Sequence, residues 1–190
     1  KSQIYQVIRS ILEGNDVVAI VAPSFVGQFG KDVTVPKFLT AMQQLGFADV
    51  VEVAAGADIC TIEEARDFME KVPQEQRFMA TSCCPSWRMM ARRLFPAESG
   101  NISMTYTPMV YTARLVKRDR PDCKVVFVGP CAAKKLEAMQ DDIRTDVDFV
   151  LTYEELMGIF EAKEIDFSKL PDSPDLDEGT RAGRGFAVEG

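Results

Sequence analysis

Apolar residues recur along this chain in two rhythms, one helical and one strand-like, and the two alternate. Ile4, Val7, Ile8, Ile11 and Leu12 fall at helical spacing, and Gly14 follows as a stop. "VVAIVA" (17–22) is a continuous apolar run rich in β-branched residues, the pattern of a strand buried on both faces. "APSFVGQFG" then reads as a loop. Pro36 opens a helix that places Phe38, Leu39, Met42 and Leu45 on one face and closes at Gly46. "VVEVA" (50–54) predicts a second strand, and "TIEEARDFMEKV" (61–72) a helix with Ile62, Ala65, Phe68, Met69 and Val72 turned inward. "RFMATS" (77–82) predicts a strand, after which Pro85 starts another helix. Further on, helices are predicted over 107–119 and 132–139, and strands over 124–129 and 148–152. Thr152 and Glu155 have capping-box spacing, for a helix running to about Phe160.

Strands alternating with helices predict an α/β fold, with parallel sheets flanked by helices on both faces. Binding sites in such folds lie beyond the carboxyl ends of the strands. "APS" (22–24), "TSCCP" (81–85) and "GPC" (129–131) each follow a predicted strand, so all three can face one cavity. The ordered α/β core is expected over about 1–165. From about 166 to 190 the chain turns rich in Pro, Gly and Asp and reads as a loop-rich tail. The 190 residues are enough for one domain or one large two-lobed unit, and they contain no internal repeat.

Composition narrows the chemistry. The net charge of −7 disfavours nucleic-acid binding through phosphate neutralisation. No apolar run approaches the roughly 18 residues of a membrane span, and the first 16 residues read as an amphipathic helix rather than a leader. Histidine is absent, which excludes Ser-His-Asp and Cys-His catalysis and histidine-containing zinc sites. Proton transfer falls to cysteine, carboxylates, lysine or water. The five cysteines are an odd number in a chain too long to need stapling, so reduced thiols and a cytoplasmic setting are expected.

Cys84 stands directly before the helix-starting Pro85. A thiol at a helix start meets the positive end of the helix dipole, which favours the metal-binding thiolate. Cys131 has a similar setting, between the strand "KVVFVG" and the predicted helix "AAKKLEAM", with Lys134 and Lys135 close by. Cys60 and Cys123 read as buried packing residues.

"TSCCPSW" (81–87) and "GPCAAKKLEA" (129–138) resemble the first two signature motifs of the iron-only (FeFe) hydrogenases. "VAPS" (21–24), "GADICTIEEARD" (56–67) and "DFVLTYEELMGIFEAKEIDF" (148–167) resemble that family's catalytic domain in order and character, so the likeness covers nearly the whole chain. It implies the reversible reduction of protons to H2 at the H-cluster, a 4Fe–4S cubane joined through a cysteine sulfur to a diiron subcluster bearing CO and cyanide. By position, Cys84 and Cys131 become cubane ligands and Cys83 the thiol that passes protons. Lys134 becomes a hydrogen-bond donor to an iron-bound cyanide, and Pro23, Ser24, Pro108 and Pro130 line the pocket. Glu64, Ser103 and Asp67 continue the proton route, with the two carboxylates three residues apart on one helix face. The implied partners are ferredoxin or another electron carrier and the hydrogenase maturation proteins.

The chain also departs from the family pattern. Gly129 stands where well-studied members carry methionine, which is expected to remove one apolar wall of the pocket. Met109 stands where a polar residue is common. The third signature motif, which supplies two further cubane cysteines, is not among the 190 residues. The stretch in hand therefore reads as part of a hydrogenase catalytic domain, without a cluster on its own. Two other readings stay open: a hydrogenase-like iron–sulfur sensor or assembly protein, and a plain α/β interaction domain with reduced core cysteines.

Overall fold

The computed structural model describes residues 1–81 and 83–171. The apolar runs become four parallel strands, β1 (Val17–Val21), β2 (Asp49–Glu52), β3 (Lys124–Gly129) and β4 (Phe149–Thr152), in spatial order β2-β1-β3-β4. Every residue of β1 is buried, as its unbroken apolar, mostly β-branched sequence requires of a central strand. Register is continuous across the sheet, with Ala19 opposite both Val50 and Val126, and Val128 opposite Leu151.

Side chains alternate between two cores. Val17, Ala19, Val21, Val126, Val128 and Leu151 face helices α1 (Ile4–Leu12), α2 (Val35–Leu45) and α7 (Tyr153–Ala162). Val18, Ile20, Val125, Phe127 and Val150 face α5 (Pro108–Asp119) and the segment through Ile143 and Val147. The expected α/β fold, with helices on both faces of a parallel sheet, is the observed one. The capping box forms: Glu155 N donates to Thr152 Oγ1 at 3.2 Å, and Thr152 N donates to Glu155 Oε2 at 2.9 Å. No helix among the described residues is long and apolar enough to cross a membrane.

Four expectations need correction. The second strand ends at Glu52, because Val53 already has helical backbone angles and α3 runs over Ala54–Lys71. The inward face predicted for that helix is wrong: Ile62, Phe68 and Met69 are exposed, and the buried residues are Ala54, Gly56, Ala57 and Cys60. Its first half is what meets the fold. There a Cβ on Gly56 would collide with the backbone and hydroxyl of α5 at Pro108 and Thr112, so the two helices approach as only glycine allows. The strand expected over 77–82 shrinks to one parallel bridge, Ala80 to Ile102. Arg77 and Phe78 stay exposed, with no neighbouring strand to bury them. The helix expected over 132–139 is a single turn, α6 (Lys134–Glu137). The tail expected from about 166 has a 3-10 turn at Phe167–Lys169, and its part beyond Pro171 lies outside the described residues.

The chain leaves β1 towards β2 on one side of the sheet and leaves β3 towards β4 on the other. β1 and β3 are neighbours, so a crevice opens beyond their carboxyl ends at the point where strand order reverses.

Candidate functional site

That crevice is a cavity of about 320 Å³. Ala22, Pro23 and Ser24 reach it from the end of β1, and Phe127, Pro130 and Cys131 from β3. Cys83, Cys84 and Pro85 come from the loop that starts α4 (Pro85–Leu94), and Pro108 and Met109 from the start of α5. Lys134 completes the wall. Three stretches about 60 and 50 residues apart in sequence thus converge, although "TSCCP" arrives on a loop rather than from a strand.

Each thiol has its own surroundings. Cys84 is the N-cap of α4, with extended backbone angles, and its sulfur accepts the Trp87 N–H at 3.4 Å. Cys131 is less like Cys84 than the sequence suggests: the N-cap of α6 is Ala133, and Cys131 instead accepts the Lys134 N–H on its carbonyl at 3.2 Å. The Cys83 thiol is pushed above its ordinary value, mainly by burial and against the pull of the Lys134 ammonium. Cys60 is buried on α3 and donates its S–H to the Tyr106 carbonyl at 3.3 Å. Burial and the Glu64 carboxylate push its thiol up to about 12.

Lys134 is fixed by partners that sequence reasoning did not find. Its ammonium donates to Glu137 Oε2 at 2.7 Å and to Thr107 Oγ1 at 3.3 Å, and the Thr107 hydroxyl donates to Glu137 Oε1 at 2.7 Å. The i,i+3 spacing of Lys134 and Glu137 was the available signal. Tyr153 was also missed. Its hydroxyl donates to the Ala22 carbonyl at 3.0 Å and shares a 2.8 Å hydrogen bond with Ser24 Oγ, which secures the loop after β1.

Glu64, Asp67 and Ser103 do not line the cavity. Glu64 is half-buried on α3, one turn beyond Cys60, and its carboxyl is raised by burial against the opposing charge of Arg88. Asp67 pairs with Lys71 at 2.5 Å. Ser103 is buried and accepts the Thr105 N–H at 3.2 Å.

The apolar wall expected to be missing at Gly129 is present, because a neighbour supplies it. An ideal Cβ on Gly129 would lie 2.5 Å from Cε1 and Cζ of Phe127, so that ring already occupies the space and lines the cavity.

Residues 15–190 match the profile of the iron-only hydrogenase large subunit, C-terminal domain. The chain belongs to that family. It is 35% identical over 198 residues to "Iron hydrogenase 1" of Clostridium pasteurianum, an alignment covering 92% of this chain and 34% of that protein. It is 29% identical over 147 residues to the "Cytosolic Fe-S cluster assembly factor NAR1" of Scheffersomyces stipitis, covering 68% of this chain and 27% of that one. A solved FeFe-hydrogenase, HydA(deltaEFG), superposes with a TM-score of 0.81 at 25% identity, over 97% of this chain and 53% of its own. The chain thus spans about a third of the length of the curated hydrogenase.

A 4Fe–4S cluster takes four thiolates. Cys84 and Cys131 offer two, and Cys83 adds a third thiol in the same cavity. Among the described residues, no group of three or more His, Cys, Asp or Glu side chains is arranged to hold a metal ion. Cys60 and Cys123, the remaining cysteines, are buried elsewhere. The donor set fits one side of such a cluster and not the whole.

Proposed function

We propose that this chain forms one side of the H-cluster site of an FeFe hydrogenase, which interconverts protons, electrons and H2. The observation that carries this reading is the convergence of Cys83, Cys84, Cys131 and Lys134 on one proline-walled cavity at the switch point of the sheet. When bound, the cluster would relay the electrons and provide the metal centre for the reaction. Cys84 and Cys131 hold the cubane from this side. Lys134 offers an N–H to an anionic ligand such as cyanide. Pro23, Pro108 and Pro130 carry no backbone N–H, and with Met109 and Phe127 they keep that wall apolar and water-poor.

Cys83 keeps its proton at neutral pH because burial raises it, so it is a donor at rest and a relay when its neighbour needs a proton. We assign the outward proton route to Glu64, Ser103 and Asp67, with Glu64 the more enclosed carboxylate. Electrons come from ferredoxin or a similar carrier, and the diiron unit from maturation proteins.

The test is a pair of variants in the full-length matured protein. Cys83→Ser is expected to retain the cluster and lose most turnover, because a hydroxyl is a far weaker acid than a thiol. Cys84→Ser is expected to impair cubane assembly, read as lost iron. Identical behaviour of the two would refute the division of roles. A second reading, an iron–sulfur assembly or sensor protein, is favoured by the relative of that printed function. Cluster binding without H2 evolution by the matured protein would select it.

A further inference from the structure

We propose that Glu137 and Thr107 are positioning residues that hold the Lys134 ammonium at the cavity wall. The proposal rests on the functional reading above and deepens it. Lys134, Glu137 and Thr107 are 8%, 5% and 6% exposed, and each bonds to the other two. The result is a closed ring of three hydrogen bonds drawn from two elements. Thr107 is the N-cap of α5 but makes no side-chain cap bond. Its hydroxyl serves the ring instead: it accepts from Lys134 and donates to Glu137.

The ring stands between two cavities. Lys134 lines the thiol cavity, while Thr107 and Glu137 line a neighbouring one of about 220 Å³. The lysine is thus held from behind. A lysine stem is flexible and its ammonium has three N–H donors. Two go to Glu137 and Thr107, which pins the head group and leaves the third for a ligand in the cavity. A purely structural ion pair explains the burial of Glu137 but not the commitment of a helix-capping hydroxyl to the same ammonium. Burying an ammonium without an anion is costly, so Glu137 is also what permits Lys134 to stand there.

The experiment compares Thr107→Val, Glu137→Gln and Thr107→Ser in the full-length protein, both before and after cluster loading. Before loading, crystal structures give the position of Lys134 Nζ. After loading, infrared spectra at equal cluster content give the cyanide stretches. Thr107→Val and Glu137→Gln are expected to displace Nζ by about 1 Å, enough for a roughly 10²-fold loss of turnover, and to shift the cyanide bands. Thr107→Ser keeps the hydroxyl and retains the parental position and bands. An unmoved Nζ with parental bands in both disruptive variants overturns the proposal. Failure of the parent to evolve H2 would sink the functional reading instead, while a displaced Nζ in the unloaded variants would still support the ring.

Discussion

Replacing Gly129 by alanine adds one methyl group where the Phe127 ring already lies. Carbon atoms rest about 3.5–4.0 Å apart, and the new Cβ would begin 2.5 Å from two ring carbons. The backbone cannot retreat: Gly129 pairs with Thr152 of β4, and Ala22 N–H bonds the Val128 carbonyl at 2.9 Å. The ring must therefore swing by about 1 Å or more, and it is packed in a core with Val18, Ile20, Val125 and Met109. Overpacking of this kind costs about 1–3 kcal/mol, which for a chain of this size lowers the melting temperature by about 2–12 °C. The assay is thermal and urea denaturation of the chain, followed by circular dichroism. Gly158→Ala is the control. Gly158 is exposed in α7 with nothing near its missing Cβ, so alanine there should stabilise by up to ~1 kcal/mol. The decisive comparison is Gly129→Ala made in a Phe127→Leu background. If the ring is the obstacle, the two changes couple and the added loss shrinks. An undiminished loss in that background refutes the argument, and with it the claim that Phe127 supplies the cavity wall beside Gly129.

Turnover of the full-length matured protein, normalised to cluster content, should fall by roughly 10²–10⁴ in Glu64→Gln and by less in Asp67→Asn; parental turnover in Glu64→Gln would remove Glu64 from the proton route. Stability has the opposite sign for the same variant. Folding raises the Glu64 carboxyl above 4.5, so the unfolded chain releases this proton first and the parent loses stability as pH climbs through that window. Glu64→Gln should therefore gain in melting temperature relative to the parent between pH 4 and pH 7, and a relative loss over that range would contradict the burial of the carboxyl. Finally, the 190-residue chain purified anaerobically should show no CO or cyanide infrared bands and no stoichiometric iron, since Cys84 and Cys131 are half of a cubane's ligands and affinity falls steeply with incomplete coordination.

The sheet was legible because its signal is local. "VVAIV" and "KVVFVG" are too continuously β-branched for a surface helix, and both form central strands. The capping box at Thr152 likewise needs only four residues to be read. Errors arose where a local pattern depends on a distant partner. Ile62, Phe68 and Met69 have helical spacing, yet all three side chains stay exposed in the fold. Phe78 lies in a run that reads as a strand, but Ile102 gives Ala80 only one bridge. The cavity residues separate in the same way. The cysteines and prolines announce themselves by neighbours in sequence. Thr107 and Glu137 are an ordinary threonine and an ordinary acid until folding brings α5 against α6, 30 residues away. Phe127 reads only as a strand core residue, and its second role depends on the absent side chain two positions on.

Several features of the cavity and of the helix beside it oppose the stability of the fold. Glu64 is a carboxylate whose ionised form folding disfavours. Lys134 and Glu137 exchange hydration for each other in a nearly dry setting, an arrangement that is often no more stable than apolar residues of the same volume. Gly129 leaves a central strand without a side chain at its end, and the prolines around the rim remove backbone donors that a packed interior would use. A domain built for binding through its surface alone would have no use for these features at the bottom of a crevice. Local costs of this kind collect where a fold must hold a charge or move a proton away from water. They fall on residues to which the family resemblance gives a role and on two, Glu137 and Thr107, to which it gives none. On the proposed reading, that coincidence marks a working cavity rather than a gap between helices. It also makes the Lys134 ring and the Glu64 carboxyl more informative targets than Cys84 and Cys131, whose loss would remove the proposed cluster ligands whatever the route of the proton.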